Sequence, residues 1–318
     1  MPHTLARHFE LAELPKKAIQ YYKVAGENAA KLTAHQDALQ HLYHALKLLE
    51  KCPKSTQRDQ LELALQLNLG PSLTALKGWG APELELAYDR AGILCENIEN
   101  PAQLIPALWL LATFRLGRSE HAEVDRVVGR LVELSQKIND PSITTMTYLQ
   151  VSPVFQGKLP KAKRLLERAA AIQDINLQRH LAHRFGMAPA AMALCFLSNC
   201  LWLLGYPKQA DQIERQGFKI AEEVNQPMTT CYVIGRSCWL GLMKDDIEQV
   251  KKQSKPLYEK ARKYGLNNFE LAAMFFKNWV KFRKNEDTKK SIDAMETNLE
   301  AYYQTKTVLN RTAFLVFL

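Results

Sequence analysis

The residues best suited to chemistry here are histidines beside basic neighbours. His35, His41 and His44 fall in one stretch, and His41 and His44 share a helix face. A zinc site needs further Cys, His or carboxylate ligands at set spacings. None accompany these three, so they are read as helix-face or surface histidines. His180 and His183 lie between Arg179 and Arg184. A solvated loop is the plain reading of that group. The sharper one is a site for an anionic partner, because guanidinium matches phosphate and carboxylate geometry. There is no Gly-x-x-x-x-Gly-Lys-Ser/Thr cradle for a nucleotide phosphate. No pair of metal-binding carboxylates sits in a strand context. The expectation is a protein that is not an enzyme, with no catalytic residue, cofactor or metal.

The six cysteines, Cys52, Cys95, Cys195, Cys200, Cys231 and Cys238, form no CxxC pair. Several sit on apolar faces, where cysteine acts as a small hydrophobe. That suits a reducing, cytoplasmic compartment better than a disulfide framework. The tryptophans Trp79, Trp109, Trp202, Trp239 and Trp279 fall at helical spacing and read as core. Trp79 differs, because it stands in the loop Lys77-Gly78-Trp79-Gly80-Ala81-Pro82. The basic excess gathers in Lys244–Lys290, with 13 Lys/Arg against 7 Asp/Glu, and aromatics interleave it. Such a stretch can bind nucleic acid. It carries no groove-reading motif, so a solvated or protein-binding face is the better reading. Partner contact is assigned to Trp79, Arg179, His183, Arg184, Tyr206 and Trp279.

The elements that must position these residues are helices. With 47% hydrophobic and 24% charged residues over 318 positions, the chain has ample core and is not disordered. Its segments are rich in Ala, Leu, Gln, Glu and Lys, which are good helix formers. Alternating β-branched runs are nearly absent. Helices are expected at Thr4–Glu13 and from Pro15 to about Leu32. Stops are expected at Glu99-Asn100-Pro101, Asn139-Asp140-Pro141 and Asn225-Gln226-Pro227, because Pro cannot continue the preceding helix. Pro256 falls inside a helical run and predicts a kink near Lys252.

Leu201–Pro227 is the best-formed unit: an apolar helix, a corner at Gly205-Tyr206-Pro207, then an amphipathic helix. Similar corners place an alanine five residues after a glycine, at Gly117/Ala122, Gly157/Ala162 and Gly205/Ala210. With Val250 and Ile292 standing in for alanine, the steps are 40, 48, 40 and 42 residues. Stripes such as Ala162, Leu165, Leu166 and Ala169 follow the period that buries one helix face. A helix pair recurring at this spacing marks an α-solenoid. The fold expected is all-α: a solenoid of about 14–16 helices in antiparallel pairs resembling tetratricopeptide repeats. Its parts are repeats over 1–173, a polar insertion loop over 174–188 that explains the long step, and repeats over 189–318. Phe185–Pro207 carries no charge, but Pro189, Ser198 and Asn199 favour a central buried helix over a membrane span.

A narrower resemblance rests on several motifs in order. They are Ala25-Gly26-Glu27 with Ala29, Leu65–Gly70, Lys77-Gly78-Trp79 with Ala81-Pro82-Glu83, Tyr88 with Arg90-Ala91, and Leu201–Pro207. Together they resemble the C-terminal repeat region of bacterial proteins in which a class III adenylate or guanylate cyclase domain precedes a predicted ATPase module. The soluble adenylyl cyclases of animals have a similar layout. The resemblance spans nearly the whole chain. It implies a sensor or assembly arm without the enzyme, in cyclase or ATPase signalling, and a truncated array whose ends lie within helix pairs, as at Asn310–Leu318. One departure is Gly186-Met187-Ala188-Pro189, where that family tends to carry Gly-x-Asp-Pro. If that Asp caps the following helix, its loss costs about 1 kcal/mol.

The function expected is a non-catalytic scaffold that binds protein, or a regulatory ligand whose identity stays open. The alternative is the helical arm of a nucleic-acid-associated transcriptional regulator. The placement of the repeat makes a prediction. Ala210→Trp should wedge its helix pair apart and lower stability by about 1–3 kcal/mol or more, since overpacking a close crossing is not absorbed locally. A variant that melts like the parent would show that the repeat is misplaced.

Overall fold

In the computed structural model, residues 1–96, 101–136, 138, 140–309 and 311–317 are described. The expected positions Glu99, Asn100, Asn139, Asn310 and Leu318 lie outside them. Eighteen helical segments follow in chain order among the described residues. They are α1 (Pro2–Leu11), α2 (Pro15–Lys31), α3 (His35–Glu50), α4 (Thr56–Lys77), α5 (Pro82–Glu96) and α6 (Pro101–Gly117). Then come α7 (His121–Ser135), α8 (Pro141–Tyr148), α9 (Ser152–Phe155), α10 (Leu159–Ala170), α11 (Ile175–Phe185) and α12 (Pro189–Leu203). The last are α13 (Pro207–Val224), α14 (Pro227–Lys244), α15 (Ile247–Lys263), α16 (Asn267–Arg283), α17 (Thr288–Gln304) and α18 (Arg311–Val316). Two of these, α9 and α18, are only 4 and 6 residues long, which carries the count past sixteen. The all-α expectation holds, with sequential helices packed antiparallel.

One corner makes most of the pairs. Glu13, Thr33, Ser119, Gly157, Gly205, Asp245, Gly265 and Asn285 all have positive φ. After each, the next N–H donates to a carbonyl five residues back, as Tyr206 does to Leu201 and Asp246 to Gly241, at 2.8–3.0 Å. This is the left-handed helix stop that satisfies otherwise orphaned carbonyls. Five residues beyond six of these corners the chain buries a small or β-branched residue. Ala18, Ala38, Ala162, Ala210 and Val250 are 0% exposed and Val124 is 4% exposed. A larger side chain there would push the two helices apart.

Two sequence expectations need correction. The corner assigned to Gly117/Ala122 is built by Ser119 and Val124, and Ala122 is exposed. The polar insertion loop is a helix, α11. Asp174 caps it by accepting from the Leu177 N–H at 2.7 Å, and left-handed Gly186 ends it. Its polar composition hides one apolar face of Leu181, Ala182 and Phe185. Pro256 lies inside α15, as its sequence position requires, within Ile247–Lys263.

The buried Gln178 of α11 also supplies what the Ala188 position lacks. Its Oε1 accepts the Ala190 N–H at 3.0 Å, and Thr229 Oγ1 accepts the Ala188 N–H at 3.0 Å. The start of α12 is therefore capped by its neighbours. The helix is buried from Pro189 to Leu201. Among the described residues no single helix is long and apolar enough to cross a membrane, and α11 with α12 reaches that composition only as a pair bent by 93°.

Thr33 is a β-branched residue in a left-handed conformation, φ +60°, and is half-buried. That conformation costs an L-residue about 1–2 kcal/mol, and glycine is free of it. Thr33→Gly is therefore expected to raise stability by roughly 0.5–1 kcal/mol. Urea unfolding measures it, and a loss of stability would mean that the corner does not control the pair.

Candidate functional site

The first helix of each pair in the second half forms an inner row. It consists of α12, α14 and α16, preceded by the broken helix α8–α9 and by α6. Aromatic side chains climb this row. Phe155 meets Phe196 at 5.9 Å between ring centroids, Phe196 meets Tyr232 at 6.1 Å, and Tyr232 meets Phe269 at 6.3 Å. These contacts are tilted or edge-on, the favourable geometry for aromatic pairs. The ladder lines a cavity of about 90 Å³ with Trp79, Met192, Arg236, Trp239, Asn268 and Phe276.

The C-terminal segment closes the far side of this cavity. Val308 and Leu309 both donate their N–H to the Gly117 carbonyl, at 2.9 and 3.1 Å. Gly80 N–H donates to Thr307 Oγ1 at 3.3 Å. A Cβ on Gly80 would stand 2.0 Å from the Lys306 carbonyl oxygen, so only glycine admits this crossing. Phe314 then packs against Trp239 at 4.6 Å and Phe275 at 4.7 Å. Gly117 thus serves as an acceptor for this strap, which is why the nearby corner falls to Ser119. Asn267 Nδ2 also bonds the Leu76 carbonyl at 2.9 Å, tying α16 to the end of α4.

Arg236 is the one charged residue in α14 before Lys244. Its guanidinium lies 4.4 Å over the Phe196 ring and donates through Nη2 to Asn199 Oδ1. Among the described residues no carboxylate pairs with it. Burial pushes its pKa down from the usual arginine value, which the nearby Tyr232 and Cys195 only partly oppose. Beside it, burial pushes the Cys195 thiol up to about 12, so this thiol is not a nucleophile.

The sequence candidates are dispersed. Trp79 lines the inner cavity. Trp279 is buried at 2% exposure under Arg283, so it is core. Arg179 donates to the Glu223 carbonyl at 2.6 and 3.2 Å, serving the end of α13. Tyr206 is exposed at the corner before α13. His183 and Arg184 do come together with His180, Lys23 and Lys31 around a second cavity of about 520 Å³ between α2, α4, α6 and α11. Its acidic lining residue, Glu27, is bound to Lys23 at 2.7 Å and to Asn68 at 2.8 Å. Desolvation, then Lys31 and His180, push the His183 pKa down.

Among the histidines first considered, His44 pairs with Glu10 at 2.9 Å and His35 meets Ser72 at 3.2 Å. No metal-holding cluster occurs among the described residues. In the basic C-terminal third, Lys244 pairs with Asp211 at 2.6 Å, Lys284 with Glu248 at 2.9 Å, and Arg283 with Asp245. Sequence reasoning passed over Arg236 and Asn268. The available signal was a lone arginine in the otherwise uncharged run Pro227–Met243.

The strap predicts one result. Gly80→Ala should dislodge residues 305–317 from the cavity, seen as faster hydrogen exchange at Val308 and Leu309 with little change in α2 and α3. Unchanged exchange there would show that the glycine is not what admits the strap.

No family model matches the chain. An uncharacterized protein of Rhizobium meliloti (strain 1021) is similar, 21% identical over 285 residues, which is 87% of this chain. The chain spans 27% of the length of that curated relative. Among solved structures, a Rap protein complexed with competence and sporulation factor superposes with a TM-score of 0.61 at 7% identity. That superposition covers 94% of this chain and 79% of the Rap chain. The likeness is one of fold, and the fold is an α-solenoid of tetratricopeptide-like helix pairs.

Proposed function

We propose that the chain is a non-catalytic binding arm that takes a protein segment or a regulatory ligand on the inner row of its solenoid. It acts as one continuous superhelix, with the repeats of 1–173 and 189–318 joined across 174–188. The observation that carries this reading is the inner cavity: an aromatic ladder on successive first helices, with a half-buried arginine that has no acidic partner among the described residues. Aromatic and arginine side chains in a desolvated pocket are the usual energetic centre of a binding surface. The strap supports it too, because the inner surface already accepts a non-helical piece of polypeptide through backbone hydrogen bonds. A solenoid of similar fold was solved with a factor bound. A cyclase or ATPase signalling setting rests on the motif resemblance alone.

The nucleic-acid alternative draws on the basic C-terminal third. There Lys244, Arg283 and Lys284 are engaged by carboxylates, which leaves a mixed-charge surface. Charges of both signs along a face suit encounter with protein better than a phosphate backbone.

The test is hydrogen exchange on the full chain with a pool of pentapeptides. Protection is expected in α12, α14 and α16. Protection confined to the outer helices α13 and α15, or none at all, overturns the reading. With ATP or GTP no turnover is expected, and sustained turnover would make the chain an enzyme. Tight, steeply salt-dependent DNA binding would instead support the regulator arm.

A further inference from the structure

Among the described residues, three buried side-chain polar atoms have no hydrogen-bond partner: Thr147 Oγ1, Arg236 Nε and Asn268 Oδ1. Two of the three belong to side chains lining the same inner cavity. Buried polar groups are satisfied almost everywhere in folded proteins, so two orphans on side chains that line one space ask for a common explanation.

Each orphan states what it lacks. The Arg236 Nε–H can only donate, and a guanidinium with no carboxylate partner among the described residues calls for an anionic acceptor. Asn268 gives its Nδ2 to Thr307 Oγ1 at 3.2 Å, so its free Oδ1 calls for a donor. The same cavity is lined by Phe196, Tyr232, Phe269 and Trp239, which call for an apolar body. A cavity of about 90 Å³ suits a group of side-chain size.

We infer that the cavity binds an apolar carboxylate carrying an N–H or O–H donor beside its carboxyl group, with the carboxylate on Arg236, the donor on Asn268 and the body on the aromatic ladder. A single negative charge matches the single guanidinium. A phosphate dianion would bring a second charge into apolar walls with nothing to meet it. This inference rests on the inner-row reading and deepens it. A free organic acid and the C-terminal residue of a polypeptide share the chemistry.

The test uses the full chain with four probes. These are N-acetyl-L-phenylalanine, its uncharged amide, 3-phenylpropionate, which lacks the donor, and a pool of pentapeptides ending in phenylalanine. Calorimetry should show N-acetyl-L-phenylalanine binding about tenfold or more tighter than its amide. Its advantage over 3-phenylpropionate should disappear in Asn268→Ala. Arg236→Gln should erase the acid preference. It should also raise the ligand-free Tm by about 2–4 °C, because a half-buried charge without a carboxylate partner is removed. Arg236→Lys keeps the charge without Nε and should retain part of the preference. Tighter binding of the pentapeptides than of N-acetyl-L-phenylalanine assigns the site to a polypeptide terminus, and the reverse order assigns it to a free acid. Either order supports the inference.

Equal binding of acid and amide overturns it, as does an Arg236→Gln variant that melts lower and keeps the acid preference. If peptides still protect the inner helices in either case, only this inference falls. If no probe binds and the inner helices gain no protection, the inner-row reading falls with it.

Discussion

The structure depends on a helix stop that turns left-handed and bonds five residues back. Each stop fixes where a helix ends and the direction in which the next one leaves. The buried alanine or valine five residues on then sets how closely the two helices pack. With both fixed at corner after corner, first helices fall in one row and second helices in another. The ladder Phe155, Phe196, Tyr232 and Phe269 follows, because equivalent positions on successive first helices come to face one space. The conformation at the stop matters more than the residue type. Thr33, Ser119, Asp245 and Asn285 do what Gly157 and Gly205 do, at a cost of about 1–2 kcal/mol each.

The two faces of the solenoid treat charge differently. Outside, lysines and arginines meet carboxylates, as in Lys244 with Asp211 and Arg115 with Glu120. These pairs are partly exposed, and pairs in contact with solvent are worth roughly 0–1 kcal/mol and mainly keep the surface mixed. Inside, Arg236 has an aromatic ring and an amide but no acid among the described residues. Withdrawing a charge from water without a counter-charge is unfavourable. The fold tolerates this beside a cavity, where every neighbouring position on α14 is apolar or small. A helix that needed only packing would carry a leucine or methionine there.

Much of the fold was legible because helix stripes and corner spacing are local. The stripe through Ala210, Gly217, Ile220, Ala221 and Val224 is buried as its period requires. Ser119 was harder to read, since Gly117 stands two residues away and glycine is the usual sign of a left-handed stop. The helix α11 was missed because a narrow apolar face of Leu181, Ala182 and Phe185 is diluted by arginines and histidines. The site was less legible still. Trp79 stood out through its flanking glycines, and its loop does meet the strap. Arg236 interrupts an apolar run, so periodicity counts it as noise. Its meaning arises only when Asn268 and the aromatics of three other helices gather around it. Trp279 shows the converse: its helical spacing marks it as core and it is core, so its assignment to partner contact does not hold.

The strap at Gly80 and Gly117 changes the kind of object that folds. A linear repeat array has only neighbour contacts, and its stability is close to a sum over repeats. Here the bond from Gly80 to Thr307 spans 227 residues, and that from Asn267 to Leu76 spans 191. The line is closed into a loop. Long-range closure must wait until the intervening repeats are in place, so it belongs to a late and slow step of folding. It also joins distant repeats: Asn267 of α16 holds the end of α4, and the loop after α4 brings Trp79 into the lining of the cavity.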